Sequence, residues 1–283
     1  MAPWQLSLLS LLCWALALAI VTGIAATLVL ARTLAASQRA RVPKYRPRHS
    51  ATHLLVVLGS GGHTAEMFSM LRRMPLDPSV YTYRTYVVSS GDNFSARKAV
   101  EFETGLQSKK ARQDDLKLDE HLPASYAIVT VPRARRVHQS YLTAPFSTLQ
   151  CFWACLLVLR GLHPDQGQRP VSLSSPYPDV ILTNGPATAV CVVLAAKLLR
   201  FWYGFLSLFS CARKESSSEV KAPLTFQLRT IFVESWARVT TLSLSGKLLL
   251  PFVDRFLVQW PALEGKQAWR GMRKTEYVDT LLD

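Results

Sequence analysis

Charged side chains are scarce in this chain, and acidic ones are scarcer still. Only 18% of its 283 residues are charged, against roughly 25% in an ordinary soluble domain, and 33 Lys and Arg outnumber 19 Asp and Glu. At 49% hydrophobic residues, the chain is too apolar for intrinsic disorder to be its main state. Its five cysteines are few and odd in number, which argues against a disulfide-stapled secreted module.

Residues 2–31 contain no Asp, Glu, Lys, Arg or His. About 20 apolar residues suffice to cross the hydrocarbon core of a bilayer. Six basic residues then follow with no acidic one among them: Arg32, Arg39, Arg41, Lys44, Arg46 and Arg48. Because positive flanks stay in the cytosol, the pattern predicts a transmembrane helix at 6–31, a basic linker at 32–51 and a cytosolic body. The alternative, a cleaved signal peptide, would need a basic start and a shorter apolar run.

Short apolar runs alternate with helix-like stretches from residue 53 onward, which predicts an α/β fold with a parallel, Rossmann-like sheet. The predicted strands are residues 53–58, 85–89, 126–131, 179–183, 230–233 and 255–259. The predicted helices are residues 64–73, 95–104, 144–159, 187–201 and 245–253. Residues 103–121 and 163–178 are expected to be loops.

The predicted domain covers residues 52–263 and contains an irregular insert at 201–228. The first part of this insert is apolar, and about ten residues are too few to span a bilayer. A membrane-surface segment, a core element and an insertion without regular structure all fit it.

A glycine-rich turn follows the first predicted strand and opens the first helix: Gly59, Ser60, Gly61, Gly62, His63 and Thr64. Glycines let the backbone approach a ligand closely, and the free N–H groups of a helix start bind anions. The turn lacks the third glycine of the dinucleotide fingerprint and the Gly-Lys-Ser/Thr of a P-loop. It therefore predicts a phosphate-binding turn, with a tight turn that binds nothing as the alternative.

Two groups of side chains near this turn carry candidate chemistry. His63 is a candidate general base or phosphate partner, and Glu66 is a candidate for orienting its imidazole. Alternatively, His63 caps the helix, and Glu66 accepts hydrogen bonds from the main-chain amides of the first turn. Three arginines follow the third predicted strand and suit a diphosphate, a membrane head group or a solvated loop: Arg133, Arg135 and Arg136.

Several functions find no support in the sequence. Cys151 and Cys155 have no other Cys or His at metal-ligand spacing nearby, so no metal site is expected. No Gly-x-Ser-x-Gly elbow is present to indicate a hydrolase of that type. No groove-reading motif accompanies the basic charge, so no nucleic acid partner is expected.

Six motifs in order behind the apolar segment resemble one family. They are residues 59–66 (GSGGHTAE), 131–136 (VPRARR), 183–186 (TNGP), 232–235 (FVES), 242–247 (LSLSGK) and 258–263 (VQWPAL). Together they resemble the membrane-anchoring subunit of the UDP-N-acetylglucosamine transferase of dolichol-linked oligosaccharide synthesis. The resemblance covers most of residues 1–263.

This resemblance implies an endoplasmic reticulum membrane protein whose body faces the cytosol and recruits a soluble catalytic glycosyltransferase subunit. The pair would add the second N-acetylglucosamine to N-acetylglucosaminyl-diphosphodolichol, in the protein N-glycosylation pathway. The chain would be non-catalytic alone and hold no cofactor, and the complex would use UDP-GlcNAc as donor. It is similar to the acceptor-binding, amino-terminal half of the bacterial lipid II glycosyltransferase, a glycosyltransferase-B fold.

The resemblance also extends the candidate site. Acceptor or diphosphate binding would involve the glycine turn, the three arginines and four further residues: Asn184, Gly185, Glu234 and Ser235. Partner binding would involve Trp260, Pro261, Tyr277 and Val278. Pro261 is expected to direct residues 264–283 away from the sheet as a docking arm, and the alternative is a core tryptophan followed by a loose tail.

Chain length independently favours half an enzyme. One Rossmann-like half takes about 150 to 200 residues, so residues 49–283 accommodate one such half, and only one glycine turn of this kind is present. The alternatives are a complete single-chain membrane glycosyltransferase and a structural membrane receptor without a ligand cleft.

Overall fold

The structure is a computed structural model, and it begins with a long helix. It describes residues 3–39, 51–74, 76–77, 80–113, 126–135, 139–140, 142–167, 170, 173, 175–185, 187–210 and 228–279. This helix, α1 (Pro3–Arg39), continues past the predicted span into the predicted linker. Within the described ranges, no helix combines the length and the apolar character that crossing a membrane requires. The predicted span at 6–31 therefore stays unconfirmed.

Seven parallel strands form one sheet, in the order β3-β2-β1-β4-β5-β6-β7. The strands are β1 (His53–Val57), β2 (Tyr83–Ser89), β3 (Tyr126–Val131), β4 (Val180–Asn184), β5 (Arg229–Val233), β6 (Arg255–Val258) and β7 (Glu276–Tyr277). The helices are α2 (Gly62–Arg73), α3 (Asn93–Gln113), α4 (Ala144–Arg160), α5 (Thr188–Ser210) and α6 (Leu244–Leu249). The predicted α/β, Rossmann-like sheet is thereby confirmed.

Hydrophobic packing covers both faces of this sheet. Successive residues of a strand point to opposite faces, and in β1 Leu54 and Val56 pack with the apolar sides of α2 and α3. Leu55 and Val57 pack on the other face, with α4 and α5. Every residue of β1 is buried as a result, which explains the apolar run from Leu54 to Val57 in the sequence.

The strand order reverses direction at β1, which pairs with β2 on one side and β4 on the other. In an open parallel sheet, the crevice outside the carboxyl ends of the strands at such a switch point is where ligands bind. The residues that follow β1 and β4, from Gly59 and from Gly185, lie at this edge. Helices α2 and α5 both begin there, so their free N–H groups face the crevice.

Three of the predicted helix ends are wrong. Helix α3 continues to Gln113, so residues 103–113 are not a loop, because Glu103 is buried against Arg84 and holds the helix on the sheet. Helix α6 ends at Leu249, ahead of Pro251. Helix α5 continues to Ser210 rather than ending at residue 201, and residues 211–227 of the predicted insert lie outside the described part.

The carboxyl-terminal tail returns to the sheet instead of leaving it. Strand β7 pairs with β6, and the Val278 N–H donates to the Val258 carbonyl at 3.0 Å. Arg255 of β6 and Glu276 of β7 form an ion pair across the two strands. The prediction that Pro261 directs the tail away as an arm is therefore wrong, because main-chain pairing and this ion pair hold the tail on the sheet edge.

Candidate functional site

The glycine turn is held in shape by a buried hydroxyl network. Thr64 is fully buried, and its hydroxyl contacts the Gly59 carbonyl. The same Thr64 hydroxyl lies 2.6 Å from the Ser95 hydroxyl of α3. Ser95 in turn donates to the Asp92 carboxylate at 2.6 Å. Thr64, predicted as a diphosphate contact, therefore fixes the turn against α3 and does not face the crevice.

Two glycines make room for the imidazole of His63. A Cβ atom on Gly59 would lie 2.6 Å from the His63 Cβ, and one on Gly185 would lie 3.1 Å from its Cγ. Gly185 also has a φ of 90°, which side-chain-bearing residues rarely adopt. The turn after β1 and the turn after β4 thus meet at His63, as the order of the strands requires.

Glu66 connects three loops at the carboxyl edge of the sheet. Its Oε2 lies 3.6 Å from the His63 Nδ1 and accepts a hydrogen bond from the Asn184 side chain at 2.9 Å. Its Oε1 accepts a hydrogen bond from the Ser235 hydroxyl at 2.8 Å. The structure therefore brings together four predicted site residues that are far apart in the sequence.

This arrangement changes the titration of both ionisable groups. The Glu66 carboxylate raises the pKa of His63 above 6.5 against the opposing effect of burial, with a smaller contribution from Asn184. Burial favours a higher pKa for Glu66, but contacts from His63, Asn184 and Ser235 outweigh it and hold that pKa below its usual value of 4.5. The pair is therefore biased towards an imidazolium beside a carboxylate.

The proton assignment on His63 follows from the same geometry. Nδ1 is the ring nitrogen that faces the Glu66 carboxylate, so we assign it the N–H. The side chain is one-third exposed, and Nε2 is left as the ring atom that can accept or donate a proton. The arrangement can therefore perform acid–base chemistry at the helix start.

Glu234 is placed differently from the sequence expectation. It is 1% exposed, and its Oε2 accepts from the Ser243 N–H at 3.0 Å while its Oε1 accepts from the Ser235 N–H at 3.2 Å. Ser243 in turn caps α6 by accepting from the Gly246 N–H at 2.9 Å. The Glu234 carboxylate thus positions Ser235 and the start of α6.

The arginines after β3 lie at the same edge, two strands away from β1. The Arg133 Nε donates to the Ser90 carbonyl at 2.8 Å, which holds the side chain beside the turn after β2. Arg135 is exposed and contacts the Gln139 carbonyl at 3.4 Å. Arg136 lies outside the described residues. Within the described part of the chain, the hydrogen bond of Arg133 thus goes to the turn after β2 and not to the glycine turn.

The predicted partner-binding residues lie on and after β6 and β7, the strands farthest from β3 in the sheet. Trp260 follows β6 and packs against Trp236, with ring centroids 5.6 Å apart and ring planes tilted by 39°. Its indole N–H donates to the Trp236 carbonyl at 2.7 Å. Pro261 opens a short 3₁₀ turn, and Tyr277 lies on the edge strand β7 with 36% of its surface exposed. Val278 closes the pairing of β7 with β6.

Two supporting residues were not recognised from the sequence. Asp92 caps the start of α3, since its Oδ1 accepts from the Ser95 N–H at 3.1 Å. The Asp-x-x-Ser spacing after Gly91 is the signal that indicates it. Gln259 supports Glu234 by donating to its main-chain carbonyl at 3.0 Å, and no local pattern distinguishes it from an ordinary strand residue.

Fold and site together define a Rossmann-type α/β protein with a glycine turn and a His–Glu pair at the switch point of its sheet. The model of the oligosaccharide biosynthesis family "Alg14 like" matches residues 54–281. The chain belongs to this family.

The chain also aligns with curated relatives over most of their length. The chain is 66% identical over 228 residues to the UDP-N-acetylglucosamine transferase subunit alg14 of Aspergillus fumigatus, which covers 77% of this chain and 100% of the relative. It is 39% identical over 228 residues to the subunit alg14 of Schizosaccharomyces pombe, with 80% and 81% covered. It is 33% identical over 220 residues to the subunit ALG14 of Homo sapiens, with 78% and 80% covered.

Proposed function

We propose that this chain is the acceptor-binding, membrane-anchoring subunit of a two-subunit UDP-GlcNAc transferase. With a soluble catalytic subunit it adds the second N-acetylglucosamine to N-acetylglucosaminyl-diphosphodolichol in protein N-glycosylation. Family membership and relatives named as transferase subunits support this assignment. The single parallel sheet, which amounts to one half of a glycosyltransferase-B enzyme, supports the need for a partner.

The observation that carries the acceptor role is the Glu66-centred cluster at the switch point. The start of α2 offers main-chain N–H groups and a positive helix end to the diphosphate. In this proposal, His63 Nε2 exchanges a proton with the sugar hydroxyl that attacks the donor, while Glu66 positions the ring. Asn184 and Ser235 act through Glu66 rather than on the acceptor.

The donor, UDP-GlcNAc, binds the partner in this proposal. A test titrates UDP-GlcNAc against this chain alone and against its complex with the soluble subunit, by isothermal calorimetry. Binding by the complex only is expected. Binding by the chain alone would favour the alternative of a complete single-chain glycosyltransferase. A complex whose transfer to N-acetylglucosaminyl-diphosphodolichol is insensitive to His63→Ala and Gly62→Ala would favour a structural receptor without an acceptor site.

The location that we propose is the endoplasmic reticulum membrane, with α1 as the anchor and the body in the cytosol. Residues 2–31 are free of charge, and six basic residues follow them. Large apolar side chains along α1 are 53–74% exposed: Leu11, Leu12, Trp14, Leu16, Leu18, Ile20, Val21, Ile24 and Leu28. The Thr22 and Thr27 hydroxyls donate to carbonyls one turn back at 2.7 and 2.6 Å, which lowers the cost of an apolar surrounding.

Two measurements test the anchor. A glycosylation acceptor site grafted after Asp283 should remain unmodified, and its modification in the lumen would contradict the orientation. Alkaline carbonate extraction should leave the full chain in the membrane pellet if α1 spans the bilayer. Release by carbonate would indicate attachment at the surface only.

A further inference from the structure

An apolar groove separates the first turns of α4 from the first turns of α5. Its volume is about 520 Å³, within the range of about 300–1,000 Å³ that is usual for ligand sites. Its walls include Pro145, Leu149 and Phe152 of α4 and Val190, Cys191 and Leu194 of α5. The one hydroxyl in the wall, on Thr148, is occupied by the Ala144 carbonyl at 2.8 Å, so the wall offers hydrocarbon rather than hydrogen bonds.

The groove opens at the edge of the sheet that carries the candidate site. Helices α4 and α5 follow β3 and β4, so their first turns lie beside the carboxyl ends of the strands. Val190 is only five residues beyond Gly185, the residue that packs on His63. Since α-helices rise about 1.5 Å per residue, the α5 wall runs about 6 Å from Val190 to Leu194.

Charge and hydrophobicity are arranged around the groove as an amphipathic ligand requires. Arg133 and Arg135 lie between β3 and the start of α4, whose first residues, Ala144 and Pro145, line the groove. On the outer side, apolar side chains of and before α4 remain 64–85% exposed: Leu142, Phe146, Leu149 and Trp153. An anionic group at the crevice thus has an apolar path leading away from it along α4.

We propose that this groove binds the first isoprene units of the acceptor's polyprenyl chain, next to its diphosphate. The inference rests on the proposed function, because only an acceptor whose diphosphate is joined directly to a hydrocarbon would occupy both the crevice and the groove. The groove and the crevice lie at the same edge of the sheet, and this shared edge favours a ligand with an anionic head over a protein helix, which would not need an anion site at its end.

The test compares two acceptors in detergent micelles, with the full chain in complex with its soluble catalytic subunit. One is N-acetylglucosaminyl diphosphate with a long polyprenyl chain, and the other carries a single methyl group instead. Leu149→Glu places a charge in the groove wall at a 65% exposed position, so the fold should tolerate it. Leu162→Glu, at the far end of α4 and 58% exposed, is the matched control.

We expect Leu149→Glu to raise KM for the polyprenyl acceptor by about 10-fold, since each buried CH₂ contributes about fourfold in affinity. KM for the methyl acceptor should not change, and Leu162→Glu should change neither. An equal loss with both acceptors, or no loss with either, overturns the proposal. Absence of transfer by the unaltered complex to both acceptors would instead overturn the proposed function.

A photolabel gives a readout that does not depend on any variant. A polyprenyl diphosphate with a diazirine on the isoprene unit nearest the diphosphate should label peptides that contain residues 144–152 and 190–194. Labelling confined to α1 or α6 would overturn the proposal. The proposal would also be wrong if Leu149→Glu weakened binding of the complex to protein-free liposomes while KM in micelles stayed unchanged. The α4 face would then contact the bilayer itself.

Discussion

Replacing Gly185 with alanine places one methyl group against the imidazole of His63. The new Cβ would lie 3.1 Å from the His63 Cγ and 3.2 Å from its Cδ2, so the ring has to move by a few tenths of an ångström. The backbone at φ 90° adds strain of about 1–3 kcal/mol. Both effects act at the contact between the turn after β1 and the turn after β4.

The expected result is a loss of transfer activity that exceeds the loss of stability. A misplacement of about 1 Å can cost about 100-fold in rate, so a shift of a few tenths should lower kcat/KM of the complex by about 10-fold. The free energy of unfolding should fall by about 1–3 kcal/mol, the cost of the strained backbone. The assay is transfer from UDP-GlcNAc to the lipid-linked acceptor, with urea unfolding of the same preparations.

Gly161→Ala is the control, because it carries comparable backbone strain without the contact. Gly161 caps the carboxyl end of α4 with a φ of 67°, at the edge of the sheet opposite the candidate site. This variant should lose stability but keep its transfer rate. If Gly185→Ala loses no more activity than Gly161→Ala, the contact between Gly185 and His63 does not position the ring, and the reasoning is refuted.

Four further predictions concern the candidate site and the buried ion pair of α3. Gly62→Ala meets no atom within 4 Å and is not in the left-handed region, so it should stabilise the fold by about 0.5–1 kcal/mol yet weaken acceptor binding; unchanged binding would show that the diphosphate does not approach this turn. Glu66→Gln removes the charge that raises the pKa of His63, so the acidic limb of the pH–rate profile should move to lower pH, and an unmoved limb would rule out the pair. Because the folded-state pKa of His63 lies above 6.5, the stability that Glu66 contributes through it is complete below pH 6.5 and is lost as the pH rises through the raised value; urea unfolding at pH 6 and pH 9 checks this sign. Glu103→Ala should cost about 3–5 kcal/mol by urea unfolding, because it leaves the buried Arg84 without its carboxylate, whereas Glu101→Ala on the exposed face of α3 should leave stability nearly unchanged.

Local burial explains why most of the fold could be predicted from the sequence. A strand covered on both faces is mostly apolar, as Leu54–Val57 of β1 are, and a turn with positive φ favours glycine, as at Gly61. The prediction failed at residues 103–113, where a charged helix was taken for a loop. The ion pair between Glu103 and Arg84 holds this helix on the sheet. Local hydrophobic periodicity cannot predict such a contact, because Arg84 lies in a strand elsewhere in the chain.

The candidate site could be predicted only in part, for a similar reason. His63 and Glu66 lie one helical turn apart, so their proximity follows from helix geometry alone. Whether Thr64 and Glu234 face a ligand or the protein interior depends on side chains that approach from elsewhere in the chain. The Ser95 hydroxyl forms a hydrogen bond with Thr64, and the Ser243 N–H donates to Glu234. Tertiary packing determines both of these contacts.

The sequence by itself determined the alternation of strands and helices, the glycine turn, the uncharged first segment and the family to which the chain belongs. These features depend on residues that are neighbours along the chain. Tertiary structure alone decided that Asn184 and Ser235, which are 118 and 169 residues from Glu66, bind its two carboxylate oxygens. It also returned the tail to the sheet as β7 and left a groove between α4 and α5. Contacts of this kind follow from the order in which the strands pair, because that order selects which loops meet at the edge of the sheet.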